Sequence, residues 1–315
     1  MVYQSFSASV IGSSHIKHGK DIEDRSASYD NAKMSLAVVA DGHGADECFR
    51  CAAGAKIAVE CTVKALHDFV IELEPRFTAA FLRKTSPPSR EEFDKLLQNL
   101  VKHIVARWYD GIERHIHAEP FSAGELEKAG EKYREKYEAG ENYCKAYGTT
   151  LIAAAVTPRY WFGIHIGDGR FTVLYRDGAF DQPVPWDPKC FLNQTTSICD
   201  DDAAERARFY CSFNNEKAPP AAIFLCSDGV DDNYPVEENE KHLFKLYRTI
   251  ALTFAEEGFT STVKQIKDLA NSFATKGKGD DTSIAGMVDI EGMKQAVPIW
   301  QRQIAAEKTA GEEAT

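Results

Sequence analysis

Three apolar stretches of the sequence end in the same way, with an aspartate followed by a glycine. These aspartates are Asp41, Asp168 and Asp228. A single Asp-Gly pair after a strand usually marks only a turn. Three such pairs predict instead that several carboxylates meet at the ends of neighbouring strands. Clustered carboxylates repel one another strongly unless cations lie between them, so the pattern indicates a metal site.

A fourth acidic strand border precedes the last apolar stretch, in Gly279-Asp280-Asp281. Oxygen donors without converging histidine or cysteine favour Mg²⁺ or Mn²⁺ over Zn²⁺. The glycine after each strand-end aspartate allows the backbone to approach closely, so that a carbonyl oxygen can also serve as a ligand.

The elements that would position these acids follow from hydrophobic periodicity. The predicted strands are 6–10, 27–29, 35–40, 149–156, 160–166, 171–176, 222–226 and 283–288. The predicted helices are 46–71, 90–117, 236–256 and 260–275. Residues 12–24 are rich in turn formers and predict a loop. This order lacks regular strand-helix alternation, so it predicts an α+β fold: an antiparallel sandwich with helices packed outside.

Composition excludes several classes of protein. The chain has 315 residues, with 37 Lys plus Arg against 48 Asp plus Glu, a net charge of −11. That balance argues against a nucleic-acid-binding protein and against a polybasic membrane-surface binder. Because the sequence shows neither a secretory leader pattern nor an apolar run of ~20 residues, we expect a cytoplasmic protein without membrane contact.

Cysteine spacing offers one alternative metal site, because Cys48 and Cys51 have the CxxC spacing of some zinc and redox centres. Their helical context favours buried, reduced thiols instead.

Taken in order, the motifs resemble those of the metal-dependent Ser/Thr protein phosphatases of the type 2C (PPM) family, with similarity to a divergent bacterial subgroup. The matching pieces are Ile22-Glu23-Asp24, Val39-Ala40-Asp41-Gly42-His43-Gly44, Tyr147-Gly148-Thr149-Thr150, Ile166-Gly167-Asp168-Gly169-Arg170, Cys226-Ser227-Asp228-Gly229-Val230-Asp231-Asp232 and Gly279-Asp280-Asp281-Thr282-Ser283. The resemblance implies a four-layer α-β-β-α sandwich with a two-metal site at one end.

Carried over residue by residue, the resemblance implies that Asp41 bridges the two metals. Asp228 and Asp280 would complete the first site, with Asp280 chosen over its neighbour because it is the first aspartate of the final motif. Glu23 and the carbonyl of Gly42 would hold the second site.

Further roles follow from the same resemblance. Asp24 would orient metal-bound water, and Asp168 together with Asp228 would match a weak third-metal position, with Asp232 as a further third-metal or water ligand. A hydroxide bridging the metals would attack phosphorus, and His43 would protonate the leaving alkoxide, a task that suits an unperturbed histidine pKa of ~6.5.

One departure concerns phosphate binding. The family usually places an arginine four residues before the first motif glutamate, where this chain has Gly19. Lys17, His18 and Lys20 lie beside it and are the candidate replacements, although lysine lacks the bidentate fork of arginine.

The predicted organisation is one catalytic domain over residues 1–290, interrupted by a charged helical insert at 118–146 and an irregular, flap-like segment at 181–220. Residues 291–315 would form an extension with a frayed or disordered end from residue 307. The predicted activity is hydrolysis of phosphoserine and phosphothreonine, with phosphorylated proteins and a Ser/Thr kinase as partners. Two alternatives stay open: a non-catalytic binding module of the same fold, and a phosphatase for small metabolites.

Overall fold

The computed structural model describes residues 2–83, 88–190, 194–214 and 219–313. Within them, two five-stranded antiparallel sheets form a sandwich with helices on both outer faces. The predicted α+β class and the α-β-β-α layering are therefore confirmed. No helix of the described part is long and apolar enough to cross a membrane.

The strands of the two sheets are β1 (Gln4–Val10), β2 (Arg25–Asp30), β3 (Ser35–Ala40), β4 (Leu151–Val156), β5 (Tyr160–Ile166), β6 (Arg170–Tyr175), β7 (Phe180–Asp181), β8 (Arg208–Phe213), β9 (Pro220–Cys226) and β10 (Thr282–Val288). The strand order is β1-β10-β9-β6-β7 in the first sheet and β2-β3-β4-β5-β8 in the second. The first sheet contains the first strand and the last two, with β6 and β7, while β2 to β5 follow one another in the second sheet together with β8.

The helices lie between and after these strands. They are α1 (Ser13–His18), α2 (Cys51–Arg83), α3 (Arg90–Ala118), α4 (Ala123–Lys128), α5 (Glu131–Glu138), α6 (Ala203–Arg206), α7 (Asp228–Asp231), α8 (Asn239–Glu257), α9 (Phe259–Lys276) and α10 (Ile290–Glu313). Ser89 starts α3 with a reciprocal capping box to Glu92, which explains why this helix begins where the sequence predicts.

Continuous apolar runs form the central strands because both faces of each sheet are covered. In β3, Ala37 and Val39 face the other sheet, whereas Leu36 and Val38 face α2 and α3. The first sheet is covered in the same way by α8, α9 and α10. This double burial holds the strand ends rigidly, and those ends carry the acidic residues.

The structure corrects the prediction for the C-terminal extension. Residues 307–313, predicted to be frayed or disordered, belong to α10, while the last two residues lie outside the described part. Trp300 of this helix is fully buried in the core of the first sheet, so residues 291–313 are part of the domain.

Two further segments differ from their predictions. The predicted loop at 12–24 contains α1, which ends at Gly19 in a left-handed conformation with φ 64°. The flap-like segment, predicted to be irregular, contains α6 and the edge strand β8, which pairs with β5. The prolines of the segment indicated an irregular stretch instead of these elements. Residues 191–193 and 215–218 of the segment lie outside the described part.

The charged insert at 118–146 is folded against the rest of the domain. It contains α4 and α5, and Tyr137 of α5 is buried and donates a hydrogen bond to the carbonyl of Glu47 at 2.9 Å. Cys48 and Cys51 are buried free thiols near the start of α2, as predicted.

Candidate metal centre

Asp41 is positioned by a short backbone pairing just beyond β3. Its carbonyl accepts hydrogen bonds from the amide of Thr150 and from the hydroxyl of Thr149, both at 2.8 Å. The Asp41 amide donates in turn to the Thr150 hydroxyl at 3.0 Å. The Tyr147-Gly148-Thr149-Thr150 motif therefore fixes the backbone from which the Asp41 carboxylate projects.

Gly42 continues this pairing as an isolated bridge to Thr149. The hydrogen bonds of the bridge are made by residues on either side, from the His43 amide to the Gly148 carbonyl and from the Thr150 amide to the Asp41 carbonyl. The carbonyl of Gly42 is not used by the pairing, so it is available as an oxygen ligand.

Asp24 precedes β2 and is almost completely buried, at 1% exposure. Its carboxylate accepts a hydrogen bond of 2.7 Å from the hydroxyl of Ser227, the residue before Asp228. Because Ser227 also accepts from the Ser283 amide at 3.0 Å, it connects the loop before β2 to the ends of β9 and β10.

The carboxylates of Asp24, Asp41, Asp168 and Asp228 form one electrostatic group. Burial, followed by repulsion from Asp24 and Asp228, raises the pKa of Asp41 well above its ordinary value. Burial and repulsion from Asp168 do the same to the pKa of Asp228. Burial raises the pKa of Asp24 to about 7. Such mutual destabilisation is relieved by divalent cations, so the donor set fits the ions that the sequence indicates.

The acids are close without being arranged around one point. Among the described residues, no three His, Cys, Asp or Glu side chains already have the geometry of a metal-ligand set.

Glu23 lies at the rim of this group, with its side chain 14% exposed. Its buried oxygen Oε2 has no hydrogen-bond partner in the described part of the chain. The ammonium of Lys20 lies 3.5 Å from the other oxygen and donates to the Gly44 carbonyl at 3.1 Å. A buried carboxylate oxygen with a His15 ring nitrogen at 3.5 Å, but no hydrogen-bond donor among the described residues, has capacity left to bind a cation.

The two aspartates of the last motif have different surroundings. Asp280 is exposed and lies near enough to Asp228 to raise the pKa of that carboxyl. Asp281 is 3% exposed, and its carboxylate accepts backbone hydrogen bonds from Gly12 and Glu23. Sequence reasoning assigned no role to Asp281, because its partners are 258 and 269 residues away and leave no local signal.

His43 follows the Asp41-Gly42 pair, and its ring lies against Gly148. Burial, together with the nearby charge of Lys145, lowers the pKa of His43 to about 4. The unperturbed value of ~6.5 expected from the sequence is therefore wrong, because burial and a lysine 102 residues away leave no local signal in the sequence. The imidazole is therefore neutral at pH 7 in the protein alone.

The remaining predicted residues are more peripheral. Asp232 is exposed and lies 4.0 Å from the ammonium of Lys278, yet its charge contributes to the raised pKa of Asp168. Lys17 and His18 are exposed on α1, and a ring nitrogen of His18 lies 2.8 Å from the Ser14 carbonyl. Of the three candidate phosphate-binding residues, Lys20 is the one in contact with Glu23.

The chain belongs to the Protein phosphatase 2C family, whose model matches residues 11–269. No curated protein sequence matches it. Among solved structures, it is similar to the serine/threonine phosphatase Stp1 from Staphylococcus aureus, at 17% identity and a TM-score of 0.50, covering 92% of this chain and 96% of that one. A bacterial serine phosphatase with one substitution gives 17% identity and a TM-score of 0.51, covering 91% and 97%. These likenesses show the fold.

Proposed function

We propose that the protein is a Mg²⁺- or Mn²⁺-dependent phosphatase that hydrolyses phosphoserine and phosphothreonine in proteins. The observation that carries the proposal is the group of buried and half-buried, mutually destabilised carboxylates at one end of the sandwich, in a chain of the Protein phosphatase 2C family. Its partners would be phosphorylated proteins and the Ser/Thr kinase that modifies them, in the cytoplasm.

The residues that would hold the ions come from five separate stretches of the chain. Asp41 would bind both principal ions, with Asp228 and Asp280 on one side and Glu23 and the Gly42 carbonyl on the other. Asp168, together with Asp228 and the exposed Asp232, would bind a weaker third ion. Bound divalent ions lower the pKa of water toward neutrality and offset the negative charge of a phosphoryl group.

Other side chains would act on the substrate. The buried Asp24 carboxylate, held by the Ser227 hydroxyl, would accept a hydrogen bond from the attacking water and orient it. Lys20 would place a positive charge beside the phosphoryl oxygens. It would take the role of the family arginine, whose position is occupied here by Gly19. His43 would donate a proton to the leaving alkoxide, because a bound phosphoryl group favours the charged imidazole that the free site disfavours.

The test is phosphate release from a phosphothreonine peptide by the parent and Asp41→Asn proteins, with Mn²⁺ and with EDTA. We expect turnover with Mn²⁺, none with EDTA, and loss of both activity and Mn²⁺ binding in Asp41→Asn. Asp110→Asn is the matched control, since Asp110 is exposed on α3, and it should behave as the parent.

Each negative result of the phosphate-release assay would lead to a different conclusion about function. A well-folded parent that binds Mn²⁺ but releases no phosphate from peptides or small phosphate esters would indicate a non-catalytic module. Turnover of small esters without peptide turnover would indicate a metabolite phosphatase. Parental activity in Asp41→Asn would show that the site is elsewhere.

A further inference from the structure

Asp281 connects an early segment of the chain to the loop before β10 at the candidate metal centre. Its Oδ1 accepts a hydrogen bond from the Gly12 amide at 2.7 Å, and its Oδ2 accepts from the Glu23 amide at 2.5 Å. The amide of Asp24 also reaches Oδ2, at 3.3 Å. One buried carboxylate therefore binds the start of the segment 12–24 and both acids at its end.

Neighbouring contacts strengthen this junction. His15 Nδ1 lies 3.0 Å from Asp281 Oδ1, and its other ring nitrogen lies 3.5 Å from Glu23 Oε2. The Ser14 amide donates to the Gly279 carbonyl at 2.9 Å. Gly12 packs so closely on residues 279 and 280 that a Cβ atom there would meet backbone atoms at 2.4 Å. The segment is thus docked on the loop before β10 along α1.

The backbone contacts of Asp281 also argue against a role as a metal ligand. Both of its oxygens already accept backbone amides, which leaves less capacity for a cation. Asp280 has the opposite character, since it is exposed and acts on the pKa of Asp228. The two consecutive aspartates therefore have different roles. Asp280 acts on the acidic group, and Asp281 accepts hydrogen bonds from the backbone of the segment 12–24.

We propose that Asp281 is a positioning residue that assembles the metal centre, by fastening the segment 12–24 to the last strand so that Glu23 and Asp24 face Asp41. The inference rests on the proposed function for the identity of the metal ligands. It adds a residue that is not a ligand itself. Partners that orient metal ligands typically contribute 10- to 100-fold to metal affinity.

The experiment compares the parent with Asp281→Ala and Asp281→Asn in two measurements. Calorimetry gives Mn²⁺ affinity, and amide hydrogen exchange of the metal-free protein reports the docking of residues 12–24. Asp281→Ala should weaken Mn²⁺ binding about 10- to 100-fold and speed exchange in that segment. Asp281→Asn keeps one acceptor oxygen, so both effects should be smaller.

The matched control is Asp21→Ala, because Asp21 lies in the same segment but is exposed. It should leave Mn²⁺ affinity and exchange at parental values. If Asp281→Ala does not fold, as judged by circular dichroism, Asp281→Asn decides: weaker binding with faster exchange supports the proposal, and parental values for both overturn it.

Two results would overturn the positioning role. One is parental affinity and exchange in folded Asp281→Ala. The other is complete loss of Mn²⁺ binding in both Asp281 variants with unchanged exchange, which would make Asp281 a ligand. Because exchange is measured without metal, it tests the docking even if the parent binds no Mn²⁺, an outcome that would instead contradict the proposed function.

Discussion

The two sides of the candidate centre are positioned in different ways. The strand-end side, formed by Asp41, Asp168 and Asp228, projects from strands whose two faces are both buried. The segment side, formed by Glu23 and Asp24, belongs to a stretch that depends on contacts with Asp281. The first set of acids is held in place by rigid strands, and the second set is held in place by long-range hydrogen bonds. Substitutions on the two sides should therefore affect different measured properties of the protein.

The largest effect should come from His43, which lies on the strand-end side without being a ligand. His43→Ala should lower kcat for a phosphothreonine peptide by about 10²- to 10⁴-fold, the usual contribution of general acid catalysis. Mn²⁺ affinity should be unchanged. The measurement pairs steady-state kinetics with calorimetry, and His103→Ala, an exposed change on α3, is the control.

A second substrate sharpens the assignment of His43. An aryl phosphate whose leaving group is stable without protonation needs no general acid, so His43→Ala should slow it much less. Equal losses for both substrates, or a loss of Mn²⁺ binding, would show that His43 holds the site together instead of donating a proton.

Next in size is the stability of the metal-free protein. Asp41→Asn removes one charge from the buried group and should stabilise the protein in EDTA by about 1–3 kcal/mol, although it removes a metal ligand. Glu23→Gln should give no such gain, because Lys20 and His15 both lie 3.5 Å from that carboxylate. Thermal unfolding in EDTA checks both. A destabilised Asp41→Asn would contradict the idea that repulsion dominates the strand-end side.

A similar effect on stability, of opposite sign, is expected from Thr150, whose hydroxyl accepts a hydrogen bond from the amide of Asp41. Thr150→Val keeps the shape but leaves that amide without its acceptor, at a cost of about 1–3 kcal/mol in unfolding free energy. Mn²⁺ affinity should fall less than in Asp281→Ala, since β3 and β4 still hold the backbone. Thr249→Val on the exposed face of α8 controls for the substitution. A larger loss of affinity than in Asp281→Ala would reverse the comparison.

The same contrast explains what the sequence could predict. Periodicity located β3, β5 and α3 almost to the residue, because each is long and buried on a regular face. The positions of the acids at the strand ends could be predicted from those elements. The docking of α1 and the role of Asp281 depend on partners more than 250 residues apart, and no local pattern encodes such contacts. The lowered pKa of His43 likewise depends on burial and on Lys145, which belongs to a distant part of the sequence.

The smallest effect concerns the charged insert, which reaches the strand-end side through Arg50. Its guanidinium pairs with Glu125 of α4 at 2.7 Å and donates to the Tyr147 hydroxyl at 2.9 Å. Hydrogen bonding to Arg50 lowers the pKa of Glu125 to about 2. A depressed carboxyl pKa adds stability above the unfolded value of 4.5, and that stability is lost as pH falls from 4.5 to about 2.

Glu125→Gln should therefore lower the free energy of unfolding at pH 7 by about 2 kcal/mol or less, since the carboxylate is partly exposed. The difference from the parent should shrink as pH falls below 4.5. Denaturant unfolding at several pH values measures this, with Glu127→Gln on the exposed side of α4 as the control. Mn²⁺ affinity should not change, because β3 and β4 hold Asp41 without the insert. A fall in affinity would show that the strand-end side also depends on a distant contact, which is the property that now distinguishes the segment side.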